Sequence, residues 1–477
     1  MSYGNAIQQR IYYSSPYIVK NQIASLYGWI QRRERFGRHF KRHLEFLSES
    51  QWFSNQHLQQ YQFEQTRAFL IHAKKHSRYY HNLFHICGFE PEKMESLTDL
   101  RQLPILDKST LRSNISDILV DNLASYNPIW QTTSGTTGQG LHFAVSSECF
   151  QHDWAFIVLA YSWAGIQLEM KWAYCAGHPV AYSERRKPPF WAYDYANNWL
   201  LMSSYHLTES NLPHYISELQ KFKPDMISGY PSSVYLLALA NQHLGRPVHP
   251  HAVFTSSETL FDHQRNVIQD AFGCKVFNFY GSGENCVHIA ECEMGSLHLR
   301  TEYSYVEFLD QDNKPAKAGR EGRIVCTAFR NYAMPLVRYD IGDVAILSEN
   351  QRCPCGRGGI LVDRVIGRVE DYILTPDGRF VGRLDHLFKG AVNVRMAQIV
   401  QKDVEEVIIR IVKEPNYTRK EEQCILEEAQ VRLGTEIDVK FEYVDDIPRA
   451  KNGKFRFIVS NIRKKNMFSN AIPIEKE

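Results

Sequence analysis

No apolar run in this sequence is long enough to cross a bilayer; the longest, around residues 156–166, falls well short of the ~20 residues a membrane helix needs. The N-terminus lacks the basic start, apolar core and cleavage site of a secretory signal, so a soluble cytoplasmic protein is expected. Excess charge of one sign is missing too. Lysine and arginine number 55 against 53 acids, a net +2, which gives nucleic acid no support as a partner. There is no internal repeat and no low-complexity tract. Ten cysteines in 477 residues do not form a disulfide framework, and their clustering points to metal ligation for some of them. What is present is apolar bulk: 44% hydrophobic and 13% aromatic residues can bury sizeable cores. The length exceeds one core, so two or more domains are expected.

Residues 5 to about 85 are polar-aromatic and nearly free of glycine, and they read as helices, with Phe36, Phe40, Leu44 and Leu47 on one face. From about residue 103 short β-branched runs alternate with helical patterns. Residues 252–255 and 276–280 read as buried strands, with a crossover helix over 262–271 between them. Strand, helix, strand at this spacing predicts parallel α/β architecture. The pattern over 303–347 is strand-rich with turns and predicts an antiparallel subdomain. After about Asp371 a compact α+β tail is expected, with amphipathic helices over 402–412 and 418–433 and a strand over 437–443.

The first chemical signal is Thr132-Thr133-Ser134-Gly135-Thr136-Thr137-Gly138. Glycines let backbone N–H groups turn toward an anion, and hydroxyls add donors to phosphate oxygens. Taken alone, the run reads equally as a polar loop. It is not a Walker A loop, because no Gly-Lys-Ser/Thr follows. The run resembles the Ser/Thr/Gly signature of the adenylate-forming superfamily of acyl-CoA ligases, adenylation domains and luciferases. Members often carry a lysine shortly after the loop, where this chain has Gln139-Gly140.

Further segments follow in the order that the resemblance requires. Ser257, Glu258 and Thr259 end a predicted strand, where the family contacts adenine and phosphate. Tyr280-Gly281-Ser282-Gly283-Glu284 is similar to the aromatic-Gly-x-x-Glu motif, which implies Tyr280 stacked on adenine and Glu284 holding Mg²⁺. A flat ring suits a purine, and a hard carboxylate suits Mg²⁺ on phosphates. The stretch 338–343 resembles Tyr-x-x-Gly-Asp, which implies that Asp343 accepts the ribose hydroxyls; Asp340 is the competing carboxylate. Over 366–371 the chain resembles Gly-Arg-x-Asp-Asp, which implies Arg368 on ribose or phosphate and Glu370 as the hinge, where the family usually has Asp or Lys. Finally, 448–456 resembles the Pro-Arg-x-x-x-Gly-Lys loop, which implies Lys454 bridging the substrate carboxylate and the α-phosphate. Residues 103–108 and 223–232 are similar to the phenylacetate–CoA ligase-like branch, especially its capsular polysaccharide-associated members. The helical N-terminus and the aromatic stretch 190–205 depart from that branch.

Cys353 and Cys355 form a close thiol pair, and Cys292 and His298 lie some sixty residues earlier. Three thiols and one imidazole make a closed tetrahedral set typical of structural Zn²⁺. Cys286 and His288 are rival ligands, and buried free cysteines are the plainer alternative. Arg32, Arg33, Arg35, Arg38, Lys41 and Arg42 crowd one segment interleaved with Trp29, Ile30, Phe36 and Phe40. Such a helix could lie on an anionic membrane, although a solvated basic face on a packed helix is the ordinary reading.

The expected enzyme is an ATP- and Mg²⁺-dependent ligase that makes an acyl-adenylate from a small carboxylic acid and transfers the acyl group to a thiol such as CoA. The alternatives are a polysaccharide-tailoring transferase with an amine or carrier-protein acceptor, and a degenerate nucleotide-binding scaffold in envelope assembly. The expected division is a helical extension over 1–100, an adenylation domain over 101–371 and a mobile lid over 372–477; a homodimer and peripheral membrane contact through the basic N-terminal helix stay open as associations.

Overall fold

The computed structural model describes residues 12–132, 141–178, 180–181, 185–208, 210–245, 247–258, 260, 262–366, 373–381, 384–388, 390–391, 393–447, 457–460 and 462. A twelve-stranded mixed sheet runs through the large part of the chain. Its parallel half is Trp199–Ser203, Trp172–Ala176, Met226–Gly229, Ala252–Ser256 and Lys275–Gly281, in that spatial order. Helices Leu212–Phe222, Pro231–His243 and Asp262–Phe272 make the crossovers. Met226–Gly229 is buried at every position, as a strand covered on both faces must be. Gly229 is required where it stands, since a Cβ there would lie 2.2 Å from Cys175 O on the neighbouring strand.

The expected antiparallel part, with strands Tyr305–Leu309, Glu321–Thr327, Tyr339–Leu347 and Ile360–Val365, continues this same sheet beyond His288–Glu291 and Leu297–Leu299. Arg338 precedes the strand Tyr339–Leu347 at φ +48° and is held by Glu307 at 2.8 Å, both side chains buried. A buried pair of this kind offsets its desolvation only through good geometry, and here both guanidinium branches meet the carboxylate.

The N-terminal helices are Tyr17–Arg35, Arg38–Ser50, Asn55–His76 and Arg78–Cys87. The single face expected for Phe36, Phe40, Leu44 and Leu47 is interrupted, because the helix breaks at Phe36-Gly37. Phe40 and Leu47 are nevertheless buried, with Phe36 and Leu44 packed beside them. The first helix docks on the edge strand Trp191–Asp194. A Cβ at Gly28 would fall 2.0 Å from Asp194 Oδ2, so any larger residue would have to displace the Asp194 carboxylate.

A separate four-stranded sheet forms the small C-terminal domain, in the order Asp438–Tyr443, Glu406–Lys413, Val394–Gln401, Ile458–Ser460. The helix expected over 402–412 is instead the strand Glu406–Lys413. Val407, Ile409 and Ile411 are each fully buried in alternation, so the β-branched run follows a period of two. Helix Arg419–Leu433 begins with a capping box between Thr418 and Glu421 and buries Ile425, Ala429 and Leu433 against the sheet. Arg379 ties this domain to the larger one, donating from Nη1 to Tyr205 O at 2.7 Å, and Arg186 bridges Asp377 and Glu436.

Candidate active site

The parallel strands end together at one edge of the sheet, where doubly wound α/β proteins place their ligands. Ala252–Ser256 and Lys275–Gly281 are adjacent, with Ser256 opposite Phe279. Just past the first, Ser257 adopts φ +71°, in the left-handed region that a non-glycine residue enters at a cost of ~1 kcal/mol or more. The Glu258 carboxylate accepts from Ser232 N–H at 3.2 Å, at the positive end of helix Pro231–His243.

At the end of the second strand, Tyr280 Oη donates to Asp343 Oδ2 at 2.7 Å. Burial first, then the Asp343 carboxylate, push the Tyr280 phenol well above its usual range. The turn after Gly281 is closed by Ser282, whose Oγ accepts from Cys286 N–H at 3.2 Å. Glu284 in this turn is buried and accepts from Tyr339 Oη at 3.1 Å. The next residue, Asn285, adopts φ +56° and hydrogen bonds to Asp153 through its side chain. Asp153 also accepts from Tyr303 Oη at 2.8 Å, and burial raises its carboxyl to about 6.

Lys108 was not assigned chemistry from the sequence. Leu106 pairs with the start of the strand Tyr339–Leu347, its N–H donating to Arg338 O at 2.9 Å. Asp107 then caps a short helix by accepting from Thr110 N–H at 2.7 Å. These two local features bring Lys108 Nζ to 3.6 Å from Glu284 Oε1. Only long-range pairing produces this contact, although Asp107-Lys108-Ser109-Thr110 carries a visible capping signal.

The site residues Thr133, Ser134, Gly135, Thr136, Thr137, Gly138, Thr259, Arg368, Glu370 and Lys454 lie outside the described residues.

On the other side of the sheet's antiparallel half, Cys292, His298, Cys353 and Cys355 converge, with one ligand atom of each within 4.8 Å of all the others. Cys292 Sγ lies 3.6 Å from Cys353 Sγ, and Cys355 Sγ lies 3.4 Å from His298 Nε2. Burial, followed by the nearby Arg300, lowers His298 to about 4, so its imidazole is neutral, as a metal ligand must be. The donor set therefore fits tetrahedral Zn²⁺. Arg357 fastens the Cys353–Cys355 turn by pairing with Glu293 at 2.7 Å and stacking between Trp52 and Trp163. The rivals do not join the cluster. His288 packs among Phe279, Phe156 and Tyr303, and Cys286 Sγ meets Ser282 Oγ at 3.1 Å.

Comparison with known proteins agrees with this layout. Residues 373–461 match the family described as the CapK C-terminal domain. The chain is 28% identical to Protein CapK of Staphylococcus aureus over 463 residues, covering 95% of this chain and 99% of that one. It is 23% identical to a phenylacetate-coenzyme A ligase of Pseudomonas putida over 336 residues, 66% of this chain and 72% of that enzyme. The fold matches a crystal structure of 2-hydroxyisobutyryl-CoA ligase in complex with 2-HIB-AMP and CoA, with a TM-score of 0.57 at 17% identity over 87% of this chain and 91% of that one. Motifs, fold and relatives agree: this chain is similar to members of the adenylate-forming superfamily, on its phenylacetate–CoA ligase-like branch.

Proposed function

We propose that this protein uses ATP and Mg²⁺ to convert a carboxylic acid into an acyl-adenylate, and then transfers the acyl group to a thiol such as that of CoA. The observation that carries the reading is the bond between Tyr280 and Asp343 beside Glu284, at the edge where the parallel strands end. In the first step a substrate carboxylate oxygen attacks the α-phosphorus and the bond to pyrophosphate breaks. In the second, a thiolate sulfur attacks the acyl carbon and AMP leaves.

The roles follow from residue chemistry. Tyr280 offers a ring face to adenine, and Asp343 accepts from the ribose hydroxyls. Thr133 to Gly138 would cradle the triphosphate, with Ser257, Glu258, Thr259, Gly281, Ser282 and Arg368 around the nucleotide. Glu284 would hold Mg²⁺, which supplies charge neutralisation at the phosphates when bound. Lys108 beside Glu284 supplies a cation that the segment after the phosphate loop lacks. Lys454 would neutralise the charge that builds between two anionic reactants. The division into an extension over 1–100, an adenylation domain over 101–371 and a lid over 372–477 turning at Glu370 would let Lys454 leave before the thiol arrives.

A second reading, in which the acceptor is an amine or carrier protein in polysaccharide tailoring, rests on the resemblance of residues 103–108 and 223–232 to capsular polysaccharide-associated members of the branch. Pyrophosphate release measured across a panel of carboxylic acids tests adenylation. Offering CoA, amines and carrier proteins to the resulting adenylate separates the two acceptor readings. Failure to release pyrophosphate with any acid, with ATP bound, would leave only the scaffold reading.

A further inference from the structure

Helix Tyr17–Arg35 divides unusually. The side facing the protein buries Lys20, Asn21, Ala24, Gly28 and Arg35. The outer side carries Ile18 (71% exposed), Val19 (38%), Leu26 (62%), Trp29 (46%) and Ile30 (44%). Among the described residues no other helix exposes as many large apolar side chains. Tyr195, 64% exposed, adjoins this face, its backbone N–H donating to Ser25 Oγ at 3.0 Å. These residues keep helical spacing over more than three turns, in two groups, Ile18 with Val19 and Leu26 with Trp29 and Ile30, with exposed Gln22 between them on the same side.

Basic residues follow the far end of the stripe along the chain, with Glu34 the one exposed acid among them. Arg33 is exposed and lays its guanidinium over the Trp29 ring at 4.0 Å. Arg38, Lys41 and Arg42 are exposed at the start of the following helix. The cluster expected from sequence is smaller than it looked: Arg35 is buried beneath Trp154 at 4.4 Å, and Arg32 is half-buried and bonded to Asn197.

We propose that this face docks on an anionic lipid surface. Apolar side chains with an indole among them suit the boundary between headgroups and acyl chains, and the arginines and lysine beside them suit lipid phosphates and carboxylates. A second copy of the chain is a poorer occupant, because the same face carries the same cations and offers them no anionic complement. The contact is peripheral, since among the described residues no helix is long and apolar enough to cross a membrane.

The test is flotation of the full chain with phosphatidylcholine–phosphatidylserine vesicles, beside pure phosphatidylcholine. The native protein should float with the anionic vesicles at low salt and be released as salt rises. The variant Leu26→Ser/Trp29→Ser/Ile30→Ser should bind at least ~10-fold more weakly, with unchanged melting, because these positions face outward. Arg33→Gln/Arg38→Gln/Lys41→Gln/Arg42→Gln should lose the preference for anionic vesicles by a similar factor. Native protein that ignores anionic vesicles at low salt overturns the proposal, as do variants that bind as well as native. So does a solution dimer that the apolar variant dissociates while vesicle binding is absent. None of these readouts depends on adenylation.

Discussion

Tyr280 and Asp343, 63 residues apart in the chain, are joined by one hydrogen bond of 2.7 Å that fastens the end of a parallel strand to the body of an antiparallel one. Burial and the adjacent carboxylate keep the phenol protonated, so it remains a donor. Tyr280→Phe retains a ring for the purine but releases Asp343, and ATP affinity should fall about tenfold, the scale of one bond to a charged acceptor. Asp343→Ala should weaken both ATP and adenylate further. Calorimetric titration with ATP checks this; unchanged affinity in Tyr280→Phe would separate the bond from nucleotide binding.

Lys454 should matter in one half-reaction only. Lys454→Ala is expected to slow adenylate formation by at least ~10²-fold, as loss of one preorganised transition-state donor does. Given a chemically synthesised acyl-adenylate, the same variant should transfer the acyl group at close to the native rate. Equal losses in both half-reactions, with the fold intact, would overturn the assigned role.

Elemental analysis of protein purified without added metal should find about one zinc per chain, held by Cys292, His298, Cys353 and Cys355. Cys353→Ser should lower the melting temperature by at least ~5 °C while leaving ATP affinity nearly unchanged. A metal-free protein of native stability would refute the assignment.

Asp153 provides a pH test. Burial raises its carboxyl from 3.8 to about 6, so the folded state favours the protonated form. The stability this contributes is complete below pH 3.8 and is lost as pH rises through about 6. Asp153→Asn keeps an oxygen for Tyr303 Oη but cannot ionise. Relative to native, the variant should therefore gain up to about 3 kcal/mol between pH 4 and pH 7 in denaturant unfolding. A stability difference that does not change with pH would show that Asp153 does not titrate in this window.

Much of the molecule is written locally. The strands at 252–256 and 275–281 and the helix between them follow from periodicity and composition, as does helix Arg419–Leu433 with its capping box. The segments that place Tyr280, Glu284 and Asp343 are short and chemically distinctive, and the four residues of the Cys292, His298, Cys353 and Cys355 cluster are types that rarely gather without cause. Local periodicity failed at Glu406–Lys413, where a run of β-branched residues has both helical and strand-like spacing and only neighbouring strands choose between them. It failed again at Arg35, which reads as one of six surface cations until Trp154 and Trp199 close over it. Nothing near Lys108 in the chain announces Glu284. Leu106 must first pair with a strand more than two hundred residues away, and contacts at that separation are set by how the whole sheet packs. The sequence by itself carried the motifs on which the proposed chemistry rests, because motifs are local. Tertiary structure alone decided which charges are buried, which apolar side chains stay in water, and which cation meets the Glu284 carboxylate.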